Sequence, residues 1–186
     1  MKTLRTFCFA LSLVLGCVGS AFSADKVCDV DHYIQQTAKR CHEVQETIDD
    51  VSRFMSDYKK RMRVDVERWG ADVLSEFYSA LCTVRDLLEN ENKTLYLYKH
   101  VDSNYRETVS KYLVQEFTTR FESSLQTSMQ RARASLDAYR NGDVDVNIIN
   151  LSGRMVDQIG LAGKVLMDIK RFYVLESKRA KTINQK

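Results

Sequence analysis

Residues 27–62 read VCDVDHYIQQTAKRCHEVQETIDDVSRFMSDYKKRM, and the spacing of the apolar residues in this stretch decides the fold. Val27, Val30, Ile34, Thr37, Cys41, Val44, Ile48, Val51, Met55, Tyr58 and Met62 alternate steps of three and four over five heptads, with Thr37 the one departure. A seam of this kind belongs to a helix packed along another helix at a shallow, left-handed crossing. Lys39, Arg40, Glu43, Glu46, Asp49, Asp50 and Lys60 fall off the seam, on the face a soluble helix gives to water.

Beyond Met62 the register breaks, because Asp65, Trp69, Asp72 and Glu76 would occupy the next seam positions. A new row begins at Val66 and runs through Gly70, Val73, Phe77, Ala80, Leu81, Val84, Leu87 and Leu88. Two arrangements satisfy this pattern. The chain turns between 61 and 65, or one helix of about 60 residues passes through a four-residue stutter. The polar run Glu89–Thr94 marks the end of the second stretch, and Leu95–Tyr98 is either an extended connection or a helix start. Asn104 and Glu107 have the spacing of a capping box, and an apolar face follows from Tyr105 to Tyr139, ending at Asn141-Gly142. The last row is Ile148, Leu151, Met155, Ile159, Ala162, Leu166, Ile169, Tyr173 and Glu176. Gly153, Gly160 and Gly163 interrupt it, either to admit a neighbouring backbone or because tertiary packing tolerates them.

The expected fold is therefore all-α: an elongated antiparallel bundle of three or four long helices with coiled-coil-like packing. The helices are expected at about 29–62, 66–90, 103–141 and 148–181, in one domain over 24–186. Composition agrees. The 186 residues contain no proline, where average usage would place about nine, and the hydrophobic share of 44% is too high for a disordered chain.

Met1–Ser23 has the layout of a secretory signal peptide. Lys2 and Arg5 precede the apolar run Phe7–Leu15, and Ala21-Phe22-Ser23 supplies small residues for cleavage. The run is shorter than the roughly 20 residues a spanning helix needs. Val14-Leu15-Gly16-Cys17 also resembles a lipobox, which makes Cys17 a minor lipidation candidate and a lipid tether the alternative to free export. Cleavage after Ser23 leaves 26 basic against 25 acidic residues, so the excess of +3 falls to +1. Near-neutrality and export together argue against nucleic acid as a partner. The basic C-terminus (Lys170, Arg171, Lys178, Arg179, Lys181, Lys186) suits a helix end and is at most a weak contact for an anionic membrane surface.

Three cysteines follow the signal segment, and an exported chain meets oxidising conditions. Cys41 and Cys82 align for a disulfide if the hairpin centres on residue 61 or 62. With the centre nearer 65, Cys82 faces about residue 48 and the mismatch reaches roughly 10 Å, beyond bonding reach. Cys28 is then unpaired or intermolecular. The pairs Cys28/His32 and His42/Glu46 lack the further ligands a zinc site needs, and no nucleophile elbow or phosphate-binding loop occurs, so no cofactor, metal or catalytic residue is expected. Asn92-Lys93-Thr94 and Asn150-Leu151-Ser152 fit the glycosylation triplet, relevant in a eukaryotic source.

The functional expectation is an exported, non-enzymatic helical protein working through protein–protein contacts or self-association, as adaptor, assembly subunit or chaperone-like binder. The seam residues Ile34, Val44, Ile48, Val51, Met55 and Tyr58 are its candidate interaction surface, since the seam is longer than a small bundle requires. The alternative is a periplasmic or extracellular bundle holding a small ligand or cofactor among Trp69, Tyr105, Tyr112, Phe117 and Phe121, whether free or as a membrane-tethered lipoprotein.

Overall fold

The computed structural model describes residues 30–61, 66–119, 123–140 and 145–183. The signal segment with Cys17, Cys28, and the Asn141-Gly142 stop lie outside them, as do the side chains of Tyr58 and Trp69. Among the described residues 94% are helical and none is in a strand. Five helices follow in order: α1 Val30–Arg61, α2 Val66–Lys99, α3 Arg106–Phe117, α4 Ser123–Arg140 and α5 Val146–Ile183. None is long and apolar enough to cross a membrane.

The seam of α1 is turned inward. Ile34, Thr37, Val44, Ile48 and Val51 are buried and Met55 is partly buried against the core, so these expected interaction residues are occupied within the chain. Their contacts are α2 and α5, the two helices against which α1 packs. The α1–α2 pair is antiparallel, since Asp31 meets Lys99, Ile34 and Thr37 meet Asn92, and Cys41 and Gln45 meet Arg85. The chain therefore reverses between Arg61 and Val66, and the continuous 60-residue helix is not formed.

Two expected boundaries move, for identifiable reasons. The polar run Glu89–Thr94 does not end α2, which continues nine residues past position 90 to Lys99. Asn92 faces α1 and hydrogen-bonds to it, and Leu95 and Tyr98 supply the next buried positions. The expected single helix over 103–141 is two. Thr118 and Thr119 form a π-type turn, and the hydroxyls of Thr118, Thr119 and Ser123 donate to Val114 O, Gln115 O and Thr119 O at 3.0, 3.0 and 2.8 Å. The two helices have different main partners, α3 on α5 and α4 on α2. The expected capping box is also absent: the N-cap of α3 is Tyr105, without a side-chain bond, while Asp102 Oδ1 accepts from the Asn104 N–H at 2.8 Å.

The glycines of α5 admit no neighbouring backbone. A Cβ placed on Gly153, Gly160 or Gly163 meets nothing within 4 Å. Their helical flexibility is an uncompensated cost of about 1 kcal/mol each relative to alanine. Replacing all three by Ala is expected to stabilise the protein by about 2–3 kcal/mol, read as a rise in the urea midpoint at constant m-value. A lower midpoint would show that these positions are packed against something.

Candidate functional site

Three features on the α1–α2–α5 scaffold carry chemistry. The first is a polar pair inside the seam. Thr37 is fully buried, and its hydroxyl donates to Tyr33 O at 2.7 Å while accepting from Asn92 Nδ2 at 2.8 Å. The same Asn92 nitrogen donates to Ile34 O at 2.8 Å. This nitrogen is the atom a glycan would take, so the Asn92 triplet is committed to helix packing. In the Asn150 triplet, Ser152 is buried.

The second feature is an open groove of about 400 Å³ between α1 and α2, bordered by Cys41, His42, Gln45, Arg85, Glu89 and Asn92. Arg85 bonds Asp86 through Nε and Nη2, at 3.0 and 2.7 Å, and reaches across to Gln45 Oε1 at 3.1 Å. Cys41 Sγ lies 3.9 Å from Arg85 O, and both Cys41 and Cys82 are half-buried free thiols. The expected Cys41–Cys82 disulfide is therefore not formed. Register is the reason. The facing pairs of α1 and α2 have midpoints at positions 63–65, on the long side of the range that would bring the two sulfurs together. Burial raises both thiol pKa values, with Glu89 adding to the rise at Cys41 and Arg85 opposing it at both. The thiolate is the reactive species, so neither sulfur is an activated nucleophile at neutral pH.

The third feature is the end of the molecule where α2 turns into α3. Tyr98 is buried against Phe172 and Tyr173, at ring-centroid distances of 5.6 and 5.5 Å. Its hydroxyl pairs with Ser110 Oγ at 2.9 Å and donates to Glu176 Oε2 at 3.3 Å. Glu176 is compensated by Arg106 at 3.7 Å and Arg179 at 3.3 Å, and the Arg106 guanidinium also lies over the Tyr98 ring at 5.7 Å. Tyr173 donates to Glu91 Oε2 at 3.3 Å. A buried carboxylate is tolerated where charge and hydrogen bonds surround it, as here. Outside this polar core, Tyr96, Leu97 and Tyr105 are 54%, 74% and 67% exposed within ten residues of chain, and Tyr112 is 59% exposed two turns along α3 from Tyr105.

Of the aromatics expected around a ligand, Tyr112 and Phe117 border one pocket together with Leu87, Glu91, Thr94 and Leu166. Tyr105 and Tyr112 face solvent and Phe117 is buried in the core, while Trp69 and Phe121 lie outside the described side chains. Among the described residues no group of three or more His, Cys, Asp or Glu is placed to hold a metal ion. His42 pairs with Glu46 on the surface at 3.3 Å. Sequence reasoning missed the Asn92–Thr37 pair and the Glu176 cluster, although a signal was present for both. Thr37 and Glu176 are polar residues standing at seam positions.

Comparison with known protein families, curated proteins and solved structures finds no match.

Proposed function

We propose that this chain is an exported, non-enzymatic protein whose antiparallel helical bundle presents a contact surface to a protein partner or to a second copy of itself. Export rests on the signal-peptide layout of residues 1–23, and the reading places the mature chain in the periplasm or outside the cell. The single observation behind the contact role is the exposed row Tyr96, Leu97, Tyr105 and Tyr112 at the α2–α3 end. Exposed apolar side chains are ordinary taken singly, and what supports a contact role is that four large ones fall between positions 96 and 112. Tyrosine also binds well at interfaces, because it offers a large apolar ring with a polar tip. With α1's seam occupied internally, this row replaces it as the surface for association.

The same stretch of chain has a bonded base, in which Tyr98 and Arg106 are tied to Glu176 of α5 and to each other. The substitution Y96S/L97S/Y105S removes the apolar surface and leaves that base intact. The expected result is unchanged helicity with loss of association, read by sedimentation velocity and by a photo-crosslinker placed at position 97 in the natively exported protein. A wild-type chain that sediments as a monomer at all concentrations and forms no crosslink from position 97 overturns the proposal.

A further inference from the structure

The seam of α1 repeats every three or four residues, so sliding α1 by one turn along α2, about 5 Å, sets apolar side chains against apolar side chains again. The apolar pattern alone does not select among such registers. The buried pair described above does. In the observed register Asn92 Nδ2 reaches both Ile34 O and Thr37 Oγ1 at 2.8 Å, and a one-turn slide would break both of these cross-helix bonds, while the Thr37 hydroxyl would keep its own bond to Tyr33 O. The other cross-helix polar contacts, Lys99 with Asp31 and Arg85 with Gln45, are exposed or partly so and weigh less.

The same register sets the distance between the two thiols. Cys41 Sγ is seated against the carbonyl of Arg85, which is one turn beyond Cys82 on α2, and both cysteines are free. We propose that the Thr37–Asn92 pair is a register lock that holds Cys41 and Cys82 one helical turn out of bonding position. The hairpin then stays reduced in an oxidising medium and becomes crosslinkable only when the lock opens. With a small-molecule disulfide such as oxidised glutathione as the oxidant, the chemistry balances. One cysteine thiolate attacks the glutathione disulfide and expels one glutathione thiolate. The second cysteine then attacks the mixed disulfide and expels the other. Two protein thiols are oxidised, and one oxidised glutathione becomes two reduced ones.

The test uses the full chain carrying C8S, C17S and C28S, so that only Cys41 and Cys82 can react. It is compared with the same chain carrying T37V/N92L, and with a third carrying T37V alone, which is nearly isosteric. All three are incubated with oxidised glutathione, quenched with a maleimide and weighed intact, with helicity followed by circular dichroism. The expected result is intramolecular disulfide formation about tenfold faster in T37V/N92L, with T37V between the two, a factor equivalent to about 1.4 kcal/mol. Equal rates in locked and unlocked chains overturn the proposal, as does an unlocked chain that gains only mixed disulfides. If T37V/N92L loses helicity, the comparison rests on T37V, and a folded T37V that crosslinks no faster than the locked chain overturns it equally.

Discussion

The double substitution I48D/V51D is expected to unfold the protein at neutral pH. Both residues are in the core, Val51 with no exposed surface and Ile48 with 3%, and they face α2 and α5 within one chain. Each aspartate would lose the transfer energy of a buried aliphatic side chain, about 1.5–3 kcal/mol. Each would also place a carboxylate in the apolar interior, a further cost of several kcal/mol. The sum is comparable with the roughly 5–15 kcal/mol that holds a domain of this size together. Circular dichroism should show lost helicity. A double mutant that keeps its helicity and loses only self-association would return the seam to the role of an intermolecular surface.

The second large effect is alkaline unfolding. Burial raises the phenol pKa of Tyr173 far above its ordinary value of 10.0, with the Glu91 carboxylate adding to the rise. Tyr98 is raised as well, by burial first, with Glu176 contributing and Ser110 and Arg106 opposing. The Cys41 and Cys82 thiols are raised from 9.0. In every case the unfolded chain releases its proton at the ordinary value while the folded chain retains it. Their contribution is thus complete below pH 9 and is lost as pH rises through 9 and 10. For Tyr173 the loss above pH 10 is about 1.4 kcal/mol per pH unit, and Tyr98 adds to it in the same direction. The urea midpoint measured from pH 7 to 11.5 should be level at first and then fall. Y173F should flatten that fall. A midpoint unchanged up to pH 11 would show that neither phenol is shielded from water.

Much of this architecture was legible in the residues, and the exceptions share a cause. The row from Ile34 to Met55 identified α1 and its buried face, and α1 is helical over all its described residues, Val30–Arg61. The start of α2 at Val66 was likewise readable from the new register. The differences lie where a polar residue that reads as punctuation bonds to another helix. Asn92 looked like part of a helix stop, and only the presence of Ile34 and Thr37 across the interface explains it. The break after Phe117 had the opposite problem. Thr118, Thr119 and Ser123 carry no glycine or proline signal, and their hydroxyls act through the preceding turn of backbone. The disulfide depended on where the α1–α2 hairpin turned to within two or three residues, finer than apolar spacing can resolve. At the candidate site the composition of the row Tyr96, Leu97 and Tyr105 was visible, but its exposure was not, because Leu95 and Tyr98 alternate with it and are buried.

The division of the third rod has a consequence for how the molecule opens. Of the described α4 side chains only Ala132 and Tyr139 are buried, and α2 is its main support. By contrast, α5 packs along α1, α2 and α3. An element gripped along one side detaches at a free energy below that of global unfolding. Cooperativity therefore has two tiers, an inner one of α1, α2 and α5 and an outer one in which α4 lifts away first. The π-type turn at Thr118 and Thr119, where α3 ends, lies at the boundary between those tiers.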